Sequence, residues 1–304
     1  MFESVYGIYE WGLDAIRFIQ QFSNPVTYSI LYFFTFLGNP ISYVVFLSIM
    51  YLCIDEKKAI KLAYTAAFAV SLNTFIKDLL KVPRPYVRHT SVKTFEEDGY
   101  STPSGHAQTS SAFWIVLASM IKTKHKKTRN ALIVLVIFLI GFSRVFFGVH
   151  YPSDVLFGWV IGICIAVLVL FFWDRLTPKF NKLPHSFKML CIFLPVAFFL
   201  IFKPEHTSVL AVMFSIPTGY LYLQNKGGFD ASSGTAVQKI LRLLFGYATT
   251  GVLYYVLGLI VPEKANPNYR LLHFAHIAVC GGWFSYAVPL LCIKMKIASG
   301  RCHE

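Results

Sequence analysis

Long apolar runs, separated by short polar ones, set the pattern of this chain. Runs at 27–54, 59–80, 104–121, 131–148, 153–173, 189–202, 207–223, 238–261 and 271–293 are rich in Leu, Ile, Val and Phe. Several approach the roughly 20 residues that a helix needs to cross a bilayer. None alternates polar with apolar at every second position, as the strands of a membrane barrel do. The pattern predicts an all-α, polytopic helical membrane protein of about nine spans. The first span is interrupted by Gly38-Asn39-Pro40, which should break or bend it.

Ahead of these runs the period changes. Over 5–22, Val5, Ile8, Trp11, Ala15, Ile19 and Phe22 fall on one helical face, with Glu3, Glu10, Asp14 and Arg17 opposite. That is the pattern of an amphipathic helix lying in the interface rather than crossing it. The same four charges interrupt any secretory signal core. The expected organisation is an interfacial helix over 1–24, a membrane core over 25–175, and further spans over 176–304 whose role the sequence does not give.

Composition agrees with a membrane protein. The chain of 304 residues is 56% hydrophobic and 14% charged, where soluble domains carry about 25% charged residues. The net charge of +13 invites a nucleic-acid reading until the loops are counted. Loops at 55–61, 122–130, 174–188 and 224–242, with the tail from 294, alternate onto one side and hold 18 of the 28 Lys and Arg. The positive-inside rule puts that side in the cytoplasm, accounts for much of the charge without nucleic acid, and places the opposite loops outside. The six cysteines show neither metal nor disulfide spacing. No Asn-x-Ser/Thr sequon is present. That absence, with the wording of PSGHAQ and GVHYPSD, points to a bacterial cell membrane with the site facing periplasm or exterior. A lumenal site in a eukaryotic internal membrane is the alternative.

The outer side carries three polar islands at span ends: KDLLKVPRP at 77–85, PSGH at 103–106 and SRVFFGVHYPSD at 143–154. Charge at a membrane boundary is costly and marks function by default. Lys77, Arg84 and Arg144 with the Ser104 hydroxyl make a pocket for a multiply charged oxyanion, and the arginine fork suits phosphate. Ser104-Gly105-His106 opens a helix whose free N–H groups and dipole favour an anion, and Gly105 lets the backbone come close. His150 precedes Pro152, a residue favoured at the first helical position. Asp154, four residues on, can reach back to one imidazole nitrogen and leave the other free to attack phosphorus. His106, from another span, can protonate the departing oxygen. The sequence has no carboxylate cluster of the kind that holds Mg²⁺, so the cations would stabilise the transferring group.

Lys77-x6-Arg84-Pro85, then Pro103-Ser104-Gly105-His106, then Ser143-Arg144-x5-His150-x3-Asp154 resembles the three-part signature of the type 2 phosphatidic acid phosphatase superfamily. The resemblance covers 59–173. It implies the helix bundle of the phosphatidic acid phosphatase and haloperoxidase type, and a metal-independent phosphatase with no cofactor. His150 would be the nucleophile, Asp154 its partner and His106 the acid. Lys77, Arg84, Ser104, Gly105 and Arg144 would bind phosphate. The expected substrate is a membrane lipid phosphate or diphosphate, cleaved through a phosphohistidine on the non-cytoplasmic face. A soluble sugar phosphate, as in glucose-6-phosphatase, and transfer to a lipid or sugar acceptor are alternatives, as is an inert motif in a transporter or scaffold. Blander readings hold elsewhere. Lys81, Arg88 and Lys93 read as a headgroup-facing rim, His273 and His276 as packing, and Gly281-Gly282 as a site of close helix contact.

Overall fold

A computed structural model of the chain describes residues 2–202 and 207–301, with side chains from Tyr9 onward. Glu3, Val5 and Ile8 of the expected amphipathic face, and Cys302, lie outside the described side chains. Thirteen α-helices run in order: α1 Phe2–Gln20, α2 Pro25–Leu37, α3 Pro40–Cys53, α4 Glu56–Leu80, α5 Pro85–Arg88, α6 Gly105–Met120, α7 Lys126–Phe146, α8 Pro152–Lys182, α9 His185–Phe202, α10 Thr207–Gln224, α11 Ala236–Gly258, α12 Tyr269–Gly282 and α13 Val288–Lys294. A π-helical turn, Trp283–Ala287, joins the last two. No strand occurs among the described residues beyond one antiparallel bridge, Asp230–Ser299.

All nine expected runs are helical, but they are not equal as spans. Among the described residues, six stretches are long and apolar enough to cross a membrane, and seven if the bent pair α2 and α3 counts as one. α6 has 16 residues, and its Gln108, Thr109, Ser110 and Ser111 are buried. A helix that buries a polar row inside protein need not meet the apolar standard of a lipid-facing one. The break between α2 and α3 falls at Gly38-Asn39, as expected from Pro40.

The chain forms two compact units, residues 1–43 with 72–172, and residues 44–71 with 173–304. In the first, an apolar core of Leu13, Ile16, Leu31, Tyr86, Ala107, Phe147, Val149, Tyr151 and Val155 gathers α1 against the loop between α7 and α8. α1 turns Leu13 and Ile16 inward, while Trp11 and Phe22 of the expected apolar face are 58% and 61% exposed. The Gln20 amide also donates to the carbonyls of Val92 and Phe146. α6 lies against α8 at Gly158 and Gly162, where a side chain would run into the carbonyl oxygens of Ser104 and Gln108.

In the second unit, α10 and α12 approach through small residues. A Cβ on Gly281 would lie 2.1 Å from the Ser215 hydroxyl, and one on Gly219 equally close to that of Ser285. Gly281 thus makes the close contact expected of it. Arg242 is wholly buried, and donates to the carbonyls of Leu52, Ala231, Ser233 and Ile297. His273 pairs with the Thr207 hydroxyl and His276 with the Tyr254 carbonyl, each used in packing.

The turn out of α7 needs glycine. Gly148 has φ +65°, and a Cβ there would lie 2.1 Å from the Val92 carbonyl oxygen. Gly148→Ala should therefore lower stability by at least about 2 kcal/mol, read as a fall in the thermal midpoint of the detergent-purified protein.

Candidate active site

The three islands meet in the first unit, and local chain chemistry explains how each is aimed. Lys77 sits in the last turn of α4. The chain then leaves the helix and becomes extended at Arg84, because the following Pro85 disfavours helical backbone before it and opens α5. Arg84 is 3% exposed. Its guanidinium donates to the carbonyls of Gly99 at 3.0 Å, Asp98 at 2.8 Å and Val149 at 3.1 Å. Lys77 Nζ donates to the Tyr100 carbonyl at 2.6 Å.

The second island is held by the third. Ser104 is extended and precedes the first residue of α6, and its N–H donates to the Asp154 carbonyl at 3.0 Å. Its buried hydroxyl has no hydrogen-bond partner. Gly105 faces Asn73 of α4, whose Oδ1 would lie 3.1 Å from a Cβ there. Asn73 itself donates to the Pro103 carbonyl and to Gln108. His106 lines an open pocket of about 560 Å³ with Asn39, Pro40, Tyr86, Glu96, Glu97 and Asp98. A Cβ on Gly38 would lie 2.7 Å from the His106 ring, so the break in the first span is where backbone comes close to this histidine. Irregular backbone at membrane depth is tolerated where it lines such a cavity.

The third island turns on itself. Arg144 ends α7 and is 1% exposed, and its carbonyl accepts from the N–H groups of Val149 and His150. Asp154 lies in the first turn of α8, where its carboxylate accepts from the Tyr151 N–H at 2.9 Å. Ser101 and Thr102 donate to its two oxygens at 2.5 Å each. The His150 Nδ1 is 3.5 Å from Asp154 Oδ2 and 3.4 Å from the Ser101 hydroxyl. Its Nε2 is 3.3 Å from Arg84 Nη1. A guanidinium only donates, so the neutral ring that fits this contact carries its proton on Nδ1 and its lone pair on Nε2. Such a ring can present Nε2 to an electrophile while the carboxylate steadies the charge that develops.

One residue that the motifs do not contain joins the arrangement. Glu97 reaches Arg84 Nη1 through Oε2 at 3.2 Å and Arg144 Nη2 through Oε1. Arg144 also donates to the Thr35 hydroxyl. Glu97 thus lines the pocket with His106 and touches both arginines. Lys77, Arg84, Ser104, Gly105, His106, Arg144, His150 and Asp154 are therefore gathered around one place. Glu97, Asn73, Ser101, Thr102 and Thr35 are the partners that sequence reading missed. Of these only Asn73, a polar residue four before Lys77 in an apolar helix, left a signal. Among the described residues no group of three or more His, Cys, Asp or Glu is arranged to hold a metal ion.

Burial first, then the charges of Lys77, Arg84 and Arg144, holds the His150 imidazole well below the usual histidine range. Below about pH 6.5 the unfolded chain then binds a proton at this position that the folded chain refuses, so stability is present above that pH and falls as acid is added. Replacing His150 with Asn removes this contribution. The thermal midpoint of the variant should fall less than that of the parent between pH 7.5 and 5.5, read by calorimetry in detergent.

Comparison with known proteins now meets this geometry. The model described as PAP2 superfamily matches residues 58–178, and that described as PAP2 superfamily phosphatase, transmembrane extension, matches 207–300. Phosphatidylglycerophosphatase B of Bacillus subtilis is 30% identical over 34% of this chain and 53% of its own length. Lipid phosphate phosphatase delta of Arabidopsis thaliana is 28% identical over 64% of this chain and 50% of its own. The chain thus spans about half the length of these two relatives. Bacitracin transport permease protein BcrC of Bacillus licheniformis is 30% identical over 57% of this chain and 83% of its own length. With a relative of that identity covered so fully, and both family models aligned in order along it, the chain belongs to the PAP2 superfamily.

Proposed function

We propose that this chain is a metal-independent integral membrane phosphatase that releases phosphate from a lipid phosphate through a phosphohistidine on His150. The observation that carries the reading is the setting of His150. Asp154 and Ser101 hold one ring nitrogen, and the other faces Arg84 beside a pocket that His106 lines. Nε2 attacks phosphorus as the bond to the lipid oxygen breaks, and His106 gives that oxygen its proton. Water then attacks the phosphohistidine, His106 takes the water proton, and phosphate leaves. Lys77, Arg84, Arg144, Ser104 and the backbone at Gly105 carry the charge on the equatorial oxygens.

Two things favour a lipid over a soluble ester. The site residues lie at the ends of membrane helices, so a substrate with its tail in the bilayer brings its headgroup to them. Two of the relatives carry names of enzymes acting on lipid phosphates. The positive-inside rule puts the site on the non-cytoplasmic face, and the cell membrane of a bacterium is the membrane this reading expects.

Purified protein should release phosphate in EDTA from at least one of phosphatidic acid, sphingosine phosphate, undecaprenyl diphosphate and phosphatidylglycerophosphate, and more slowly from glucose 6-phosphate. His150→Ala should abolish release. His106→Ala should lower kcat by about 10² or more, as expected for loss of a general acid. Ser101→Ala, which leaves Asp154 with one hydroxyl donor fewer, should lower kcat by about tenfold with KM little changed. Release that EDTA stops, or that survives His150→Ala, would overturn the mechanism.

A further inference from the structure

A carboxylate lies where the substrate's phosphate must bind, and the chain holds it there firmly. Glu97 bridges two nearly inaccessible guanidinium groups, one oxygen on Arg84 and one on Arg144. The same Arg84 Nη1 that it touches lies 3.3 Å from His150 Nε2, so the carboxylate is beside the attacking nitrogen. Its backbone is pinned. The Tyr86 hydroxyl donates to the Glu97 carbonyl at 2.8 Å and accepts from its N–H at 3.0 Å. The preceding Phe95 packs on Phe147 in the core. The side chain keeps 25% of its surface exposed at the pocket, so it can leave by rotating without moving the loop. Among the described residues, the buried Ser104 Oγ and Arg144 Nε have no hydrogen-bond partner.

We infer that Glu97 is a specificity-determining residue, an internal anion that screens headgroups by charge before any reaches His150. The inference rests on the phosphatase reading of this site. An incoming anion has to replace a carboxylate that already makes charge-assisted contacts to both arginine forks. A phosphodiester carries one negative charge, as the carboxylate does, and gains nothing in the exchange. A phosphate monoester or a terminal diphosphate carries more charge and three equatorial oxygens, and gains contacts with Lys77 and Ser104 as well. At a membrane face crowded with phosphodiester headgroups, a site of fixed cations with no such screen would be occupied by bulk lipid. Glu97 supplies the screen from within.

The test uses the full-length protein in detergent with two soluble probes, inorganic phosphate and dimethyl phosphate, which stand for monoester and diester charge. Binding is read as the shift in thermal midpoint, which needs no turnover, and as competitive inhibition of release from the best lipid substrate. The parent protein should respond to phosphate and hardly to dimethyl phosphate. Glu97→Gln should melt earlier without anion, because two buried arginines lose their partner. It should be rescued by either probe, with inhibition by dimethyl phosphate stronger by about tenfold and KM for lipid phosphate lower. Glu97→Asp, whose carboxylate is too short to hold both arginines at once, should fall between the two and serves if the glutamine variant does not fold. Unchanged discrimination between the probes in either variant would overturn the inference, and so would a loss of stability that no anion restores. If no lipid phosphate is hydrolysed but the probes still discriminate as described, the phosphatase reading fails and the screen stands. Intact hydrolysis with unchanged discrimination is the reverse.

Discussion

Burying like charges together is the condition that shapes the first unit. Arg84 and Arg144 are 3% and 1% exposed and Lys77 is half-buried nearby. A cation taken from water costs several kcal/mol unless its neighbours supply negative charge. Two carboxylates, Glu97 and Asp154, supply part of it. Backbone carbonyls supply much of the rest, and they come from one short segment. Asp98 and Gly99 turn their oxygens to Arg84, and Tyr100 turns its own to Lys77. Glu97 gives its side chain to the arginines, while Ser101 and Thr102 give theirs to Asp154. Each residue from 97 to 102 thus serves at least one ionised group of the site.

That division of labour explains what the sequence disclosed. The helices were legible because apolar runs of this length have few other solutions in a bilayer. The break at Gly38-Asn39-Pro40 was legible because proline ends a helix for reasons local to the chain. The rank of the helices as spans was not. α6 reads as one more apolar run in the sequence, yet it has 16 residues and buries a row of polar side chains inside the unit. The apolar stripe predicted for the first helix leaves Trp11 and Phe22 exposed. The residues the unit buries lie beside that stripe, Gly12, Leu13 and Ile16, because the glycine lets Tyr151 pack against the helix.

The candidate site divides in the same way. Its cations, histidines and Asp154 stand at fixed spacings at helix ends, where short-range geometry determines what they reach. Asp154 meets His150 and the Tyr151 N–H from the first turn of α8, within reach of its own stretch of chain. The partners that came unannounced sit far away in sequence or in the loop. Thr35 reaches Arg144 from another helix, and Glu97 reaches it from the loop before α6. Glu97 was the hardest to foresee, since a carboxylate is the wrong sign for a phosphate pocket read as a list of ligands. It makes sense only once the cations are known to be buried together and to need an anion at all times.

Charge balance then connects the resting arrangement to the reacting one. With Glu97 in place, three cations face two carboxylates, and a single positive charge is left over around a neutral His150. With Glu97 turned away they face Asp154 alone, and two are left over, which matches the two negative charges of a phosphate monoester. In such an exchange one anion would replace another beside the arginines, so the buried cations would not be left with Asp154 alone. A single side-chain rotation at Glu97 would therefore separate a pocket that holds its own anion from one with room for an incoming anion, with the backbone unchanged.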